Sequence, residues 1–360
     1  MMTLAVVFVV LFLVRFVLAW RFAGQFVGGA FAGSVAVLQP ILGGDPLLED
    51  ALRANAVGLA GARLYWLVDE DDLAGQAAAR AAARGNVRVI VGPGPVDGEN
   101  PKVAKLGRAL DVVTEDVCVV LDDDTRLGRA ELGRLVGALA GADLVTGLPV
   151  FGARGNFFER FVGGFVNGNA VLTYLPAAAV GAQHTINGMI YAVRTEELRG
   201  LGGFGAIVTE LTDDYAMAQL YERAGRRILQ TPVCVDVGMT IRDAGHCGRV
   251  LRRWFLFANR YLGENAGVAL VVLVVVPSVL PVAGIFFGWW WVVLLVLKAC
   301  GNRVLLWRVS GRGSGVLDVL FEVLADVFAP LFYVSALWRP RELSWRSRRI
   351  AMDGGRIRYR

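Results

Sequence analysis

The sequence predicts an α/β domain with a mostly parallel sheet, set between apolar helices at both ends of the chain. Three observations predict it. Short apolar stretches alternate with helix-like, alanine-rich ones from Ser34 to about Val237, the pattern of βαβ units. One of those stretches, Val117–Leu121, runs straight into Asp122, Asp123 and Asp124, as a buried parallel strand does when it ends in an acidic loop. Long apolar runs occupy residues 4–20 and 266–297, near the start and in the last third.

The bulk numbers agree. With 360 residues, 55% of them hydrophobic, and a mean hydropathy of +0.52, the chain is too apolar for an ordinary soluble domain. It is long enough for one sizeable α/β domain and several membrane segments. The net charge is +5, lysine occurs only at 102, 105 and 298, and eight arginines crowd the stretch from Arg339 to Arg360. Because that tail follows directly on apolar segments, it reads as a juxtamembrane patch facing an anionic cytoplasmic leaflet rather than a nucleic-acid site. Cys118, Cys234, Cys247 and Cys300 have no metal-ligand spacing and read as free thiols in a reducing compartment.

Along the chain, residues 1–23 read as an uncleaved transmembrane anchor. A signal peptide is the competing reading, but a charged n-region is missing and no small-residue cleavage site follows cleanly. Candidate strands are Val35–Leu38, Leu64–Val68, Val87–Val91, Val117–Leu121, Leu144–Val150, Met189–Val193 and Ile228–Val233; Ala74–Arg84 and Arg129–Ala140 read as covering helices. These elements make residues 34–240 the α/β domain. Residues 241–261 read as an interfacial amphipathic helix. The run Ala266–Leu297 would measure roughly 48 Å as one helix, too long for a hydrocarbon core of about 30 Å. Pro277, Pro281 and Gly284 offer a break, so two spans are expected there. In Val316–Trp338, Asp318, Glu322 and Asp326 share one helical face. That suits a helix lying at the interface or one packed against other spans. Residues 262–338 thus form the transmembrane and interfacial part. Two spans and one interfacial or re-entrant helix keep the α/β domain and the basic tail, 339–360, on the same cytoplasmic side.

Ligands of open α/β sheets bind beyond the carboxyl ends of the strands. Asp122 and Asp124, one residue apart there, suit a shared Mg²⁺ or Mn²⁺ that carries a substrate diphosphate; a solvated acidic turn is the plain alternative. Asp69 ends a second strand, where a carboxylate can accept hydrogen bonds from a nucleobase or ribose. In Thr209–Tyr215, Thr212 suits an N-cap with acids in the first helical turn, and a carboxylate so placed can also serve as a general base. Arg252, Arg253 and Trp254 precede the apolar run, where cations can clamp a leaving diphosphate beside a stacking indole; snorkelling arginines with an aromatic anchor give the same pattern. Lys102, in Asn100-Pro101-Lys102 before a helix, reads as surface charge or as a contact to phosphate or base. Only two histidines occur, His184 and His246, and the chain has neither a Gly-x-Gly-x-x-Gly helix start after its first strand nor a Gly-Lys-Ser/Thr loop. A histidine metal centre, a dinucleotide dehydrogenase and a Walker-type nucleotidase have little material here.

The order of these elements resembles inverting glycosyltransferases of family 2, whose pattern is Asp, Asp-x-Asp, Glu/Asp-Asp and (Gln/Arg)-x-x-Arg-Trp before membrane helices. More narrowly it is similar to the ceramide glucosyltransferase branch, through Leu38–Pro46, Val68–Asp72, Asn100–Lys102, Gly147–Pro149, Asn187–Met189, Asp213–Met217, Ser335–Trp338 and Ser344–Arg346. A bacterial branch that glycosylates hopanoid lipids with N-acetylglucosamine is close behind.

The resemblance implies a GT-A fold, the Rossmann-like fold of nucleotide-diphospho-sugar transferases, with transmembrane helices at both ends. It implies transfer of a hexose from a UDP-sugar to a lipid hydroxyl in the bilayer by a multi-pass membrane enzyme. Asp69 would hold the uridine, Lys102 would assist the nucleotide, and Asp122 and Asp124 would hold the metal-bound diphosphate. Asp214 would be the catalytic base, with Arg253 and Trp254 closing the site. Three departures stand out. Val250 takes the first position of the Arg-Trp box, Asp213 stands where glutamate is frequent, and Asn156–Ala182, a plausible meeting place for the acceptor, is alanine- and glycine-rich. A processive polysaccharide synthase and a lipid-binding scaffold on a decayed transferase domain are the rival readings.

Overall fold

The computed structural model describes residues 2–94, 96–152, 155–265, 268, 271–338, 342–345, 348–353 and 356–359. Arg339, Arg341, Arg346 and Arg360 of the basic tail lie outside the described residues, and so do positions 266, 267, 269 and 270 of the apolar run. The chain divides into two compact units. One comprises Val27–Gly147, His184–Thr240 and Pro340–Arg360; the other comprises Met1–Phe26, Leu148–Gln183 and Ile241–Arg339.

The first unit is built on an α/β sheet of order β3-β2-β1-β4-β7-β6-β8-β5. Its strands are β1 (Val35–Pro40), β2 (Arg63–Asp69), β3 (Val87–Gly92), β4 (Val117–Leu121), β5 (Thr125–Arg126), β6 (Leu144–Phe151), β7 (Ile190–Arg194) and β8 (Ile228–Val237). Every strand expected from the sequence is present, most of them a residue or more longer. The first four run parallel, and β7 turns antiparallel to β4, pairing Leu121 with Ile190. The chain winds from β1 to β2 and β3 on one side, then returns to lay β4 on the other side of β1. That reversal opens a crevice at the carboxyl ends of β1 and β4, where Asp122 follows β4 directly.

Alternation fixes one face of this sheet. Ala36, Leu38, Tyr65, Leu67, Cys118 and Val120 point the same way and bury against Val103, Leu106 and Ala109 of α4 (Pro101–Leu110). Met217 and Tyr221 of α8 (Asp213–Arg223) complete that core. A fully buried leucine such as Leu106 contributes about 1.5–3 kcal/mol. The tail also carries structure that the arginine count hid. Glu342–Trp345, Arg348–Asp353 and Arg356–Tyr359 form a three-stranded antiparallel sheet, with Ile350 opposite Tyr359 and Met352 opposite Ile357. The missed signal is the period-two placing of Ile350, Met352, Ile357 and Tyr359.

The second unit is helical: α1 (Met2–Gln25), α6 (Phe157–Ala179), α9 (Ala244–Asn265), α10 (Val276–Ile285), α11 (Trp290–Ser310) and α12 (Val316–Trp338). The intervening helices of the first unit are α2 (Leu48–Gly58), α3 (Leu73–Ala82), α5 (Arg129–Gly137) and α7 (Thr195–Gly200). Among the described residues, α1 and α12 are long and apolar enough to cross a membrane, while α10 is shorter. Of the apolar run 266–297, the described residues form a π-helical stretch at Val271–Val275, then α10 and the start of α11.

The acidic face of α12 turns inward. Glu322 is fully buried and meets Lys298 at 3.0 Å and Arg303 at 2.8 Å, both on α11, while Asp326 meets Lys298 at 2.8 Å. The acids of this helix thus pack against a neighbouring helix. Gly164 and Gly168 of α6 make the approach possible, since a Cβ at Gly164 would sit 2.5 Å from the Phe321 carbonyl oxygen.

Candidate active site

The acids after β4 are divided by direction. The middle one, Asp123, is buried and accepts the Leu42 N–H at 2.9 Å, tying down the loop after β1. Asp124 is also buried and accepts from the Thr125 hydroxyl at 3.2 Å. Asp122 reaches the ammonium of Lys102, 2.8 Å away.

Lys102 is carried there by the local sequence. Asn100 caps α4, its side chain accepting from the N–H groups of Lys102 and Val103, and Pro101 sits in the first turn, where it loses no intrahelical bond. The Asn100 amide donates to the carbonyls of Glu210 and Leu211, so the same residue fixes α4 to the segment that leads into Asp213. Lys102 is 7% exposed, not the surface charge that a lone lysine suggests. Its Nζ stands 2.9 Å from Asp213 Oδ2 and donates to the Gly188 carbonyl at 2.9 Å. The Asp213 contact is close but off the hydrogen-bond direction, and Oδ2 has no hydrogen-bond partner.

Asp214 belongs to the same cluster. A Cβ on Gly188 would lie 3.1 Å from Asp214 Cβ, so the Asn187-Gly188-Met189 turn leaves room for the acid. Thr212 holds the N-cap position of α8 without a capping hydrogen bond, and its buried hydroxyl is unpartnered. The simple cap expected of Thr212 is therefore absent. Burial and the neighbouring charge of Asp213 push the Asp214 carboxyl up to about 7. Burial works against the charge of Lys102, yet Asp122 and Asp213 outweigh it and hold the ammonium well above the ordinary lysine value. Burial also pushes Asp122 up against the pull of Lys102. With Asp122 28% exposed and 2.8 Å from an ammonium, the ionised pair is the state the geometry supports.

Asp69 ends β2 and is almost wholly buried. Its two oxygens meet Lys105 at 2.9 Å and Arg108 at 3.1 Å. Lys105 also donates to the Ile41 carbonyl at 2.6 Å. Lys102, Lys105 and Arg108 are spaced by three, so one side of α4 presents a cation to each strand-end acid. Sequence reading missed Lys105 and Arg108; their spacing on an amphipathic helix after the Asn-Pro start was the available signal.

Arg253 and Trp254 lie on α9, in the helical unit. The Trp254 ring stacks on Phe165, centroids 6.5 Å apart, and meets Phe151 edge-on at 6.4 Å. Val250 is buried, so the first position of the Arg-Trp box is an apolar contact of that unit. All four cysteines are free.

The donor set suits a hard divalent cation. Asp122 and Asp213 share one lysine, Asp214 adds a carboxyl beside them, and Asp213 Oδ2 accepts no hydrogen bond. No group of three or more acid, histidine or cysteine side chains able to hold an ion exists among the described residues. Mg²⁺ is commonly held by only one or two carboxylates together with substrate phosphates and water, which is what this arrangement can provide.

A family model described as Glycosyl transferase family 21 matches residues 1–357. No curated protein matches the chain. Among solved structures, a mannosyltransferase from Pyrobaculum calidifontis in complex with GDP-Man and Mn²⁺ is similar at 15% identity and a TM-score of 0.54. The match covers 93% of this chain and 99% of that one. Glucosyl-3-phosphoglycerate synthase from Mycobacterium tuberculosis, in complex with Mn²⁺, UDP and glucosyl-3-phosphoglycerate, is similar at 19% identity over 64% of this chain and 81% of that one, with a TM-score of 0.40. The first likeness is one of fold, and the GT-A architecture expected from the motifs is the architecture found.

Proposed function

The chain belongs to glycosyl transferase family 21, and from that premise we propose that it moves a hexose from a UDP-sugar to a hydroxyl of a membrane lipid, with inversion at the anomeric carbon. As a member of this family it is a hexosyltransferase. The finer reading is supported by one observation above all, the meeting of Asp122 and Asp213 on Lys102, with Asp214 beside Gly188, at the carboxyl edge of the sheet.

In this reading Asp214 is the general base. Its carboxylate takes the proton of the acceptor hydroxyl as that oxygen attacks the anomeric carbon, and the bond to UDP breaks with its electron pair leaving on the diphosphate. Asp122 and Asp124 would hold Mg²⁺ or Mn²⁺, which when bound offsets the charge of the departing diphosphate. The mannosyltransferase of similar fold, a complex with GDP-Man and Mn²⁺, supports a nucleotide-sugar donor and a divalent cation. Asp69 serves the uridine from within its pair with Lys105 and Arg108. Arg253 and Trp254 are assigned to closing the site on donor and leaving group.

A lipid acceptor explains the apolar half of the chain, because a soluble donor and an embedded acceptor must meet at the interface. The length and composition of α1 and α12 support a multi-pass protein of the cell membrane. The arginine tail supports a cytoplasmic active site.

The test is transfer itself. Purified protein is incubated with Mn²⁺, labelled UDP-glucose, UDP-galactose or UDP-N-acetylglucosamine, and lipids that include ceramide and hopanoid. A glycolipid carrying one added sugar is expected. A ladder of products would indicate a polysaccharide synthase, and no transfer from any UDP-sugar would overturn the proposal.

A further inference from the structure

Three protein oxygens surround Lys102 Nζ within 2.9 Å: Asp122 Oδ1, Asp213 Oδ2 and the Gly188 carbonyl. The Gly188 carbonyl takes one of the three N–H groups and two carboxylates already balance the charge, so this ammonium has little left to offer a nucleotide. At 7% exposure it is also shielded from solvent. The lysine that the family pattern would give to the nucleotide is occupied by the chain itself.

We propose that Lys102 is a positioning residue that latches Asp122 to Asp213, so that a divalent cation and Lys102 compete for Asp122. The inference rests on the reading that Asp122 and Asp124 hold the cation. Its physical basis is like-charge repulsion. A divalent ion on Asp122 would stand against an ammonium that is 2.8 Å from the same carboxylate. Lys102 keeps two other partners when it lets go, the charge of Asp213 and the Gly188 carbonyl, and α4 is fixed at its start by Asn100. Release is therefore a change of partner, without unfolding of the helix. The diphosphate of an arriving donor brings negative charge that can hold both cations at once. Metal and donor would then bind cooperatively, and metal alone would bind weakly.

The test measures Mn²⁺ binding, by loss of the free-ion EPR signal, on the full-length protein in detergent with and without UDP. Lys102→Met removes the charge, Lys102→Gln removes it but retains a donor for Gly188, and Lys102→Arg retains it. Without nucleotide, the Met and Gln variants should bind Mn²⁺ about tenfold more tightly than wild type. The Arg variant should match wild type, and UDP should shrink the difference. A merely structural lysine would give unchanged or weaker Mn²⁺ binding when neutralised. Equal or weaker nucleotide-free binding in whichever neutral variant is folded overturns the latch alone. Absence of Mn²⁺ binding in every form, with UDP present, overturns the metal reading and the latch with it.

Discussion

Lys105 Nζ lies 2.9 Å from Asp69 Oδ2, and both groups are almost entirely out of water, one turn of α4 beyond the Lys102–Asp122 pair. A buried pair of this kind matters most when half of it is removed, because the remaining charge keeps its desolvation cost. Arg108 stays 3.1 Å from Asp69, so Lys105→Met should cost less than the roughly 3–5 kcal/mol of a fully unpaired buried charge. The double variant Lys105→Met, Asp69→Asn should recover much of that. Denaturant unfolding followed by tryptophan fluorescence checks both. Equal loss in the single and double variants would mean that packing of the lysine stem, not charge, is the main term.

Asp214→Asn keeps the shape of the side chain but cannot accept a proton. Turnover should fall by about 10²–10⁴, the range general-base catalysis supplies, while UDP-sugar binding measured calorimetrically stays close to wild type. Asp213→Asn is the informative companion. It removes a partner of Lys102 and the charge beside Asp214, so it should disturb donor binding as well as rate.

Metal dependence follows from the assignment of Asp122 and Asp124 to the cation. Excess EDTA should abolish transfer, and added Mn²⁺ or Mg²⁺ should restore it. Full activity in excess chelator would remove Asp122 and Asp124 from the metal-binding role.

The pH profile carries the sign of Asp214's environment. Its carboxyl is raised to about 7 by burial and by Asp213, and a base must be deprotonated to act. In the free enzyme kcat/KM should rise with pH through about 7 and level off above it. Linkage gives the opposite trend in stability. The folded form binds this proton more tightly than the unfolded form, so the contribution is full below the ordinary value of 3.8 and is lost as pH rises through about 7. Asp214→Asn should flatten that part of the stability curve, measured by unfolding midpoints from pH 5 to 8.

Much of this was legible in the residues. Val117–Leu121 announces itself as a buried strand because five apolar residues end in acids, and the structure gives the same bounds. Asp122 and Asp213 are found because acids at strand ends and helix starts are visible as types. What the sequence does not show is which partner each acid takes. Asp123 looks equivalent to its neighbours, yet its carboxylate is turned to the Leu42 N–H by loop geometry that only the fold defines. Lys102 and Lys105 look like solvated charge because burial of a lysine depends on acids contributed from β2, β4 and α8. The α12 acids were visible as a face, but its direction required Lys298 and Arg303 from α11.

That inward acidic face depends on glycine. Gly164 and Gly168, four apart on α6, let α12 approach until a Cβ at the first would be 2.5 Å from the Phe321 carbonyl and at the second 2.7 Å from Glu322 Cγ. Glu322 is held there by Lys298, Arg303 and Asn302, so widening the gap strains packing and the ionic network together. Gly164→Ala should cost about 1–3 kcal/mol, the usual range for overpacking. Gly133 of α5 is the control, because nothing lies within 4 Å of a Cβ there and the residue is helical and exposed. Gly133→Ala should be neutral or stabilising by up to about 1 kcal/mol through helix propensity. Unfolding in the same detergent compares the two substitutions. A Gly164→Ala variant as stable as Gly133→Ala would show that α6 and α12 do not meet at this distance.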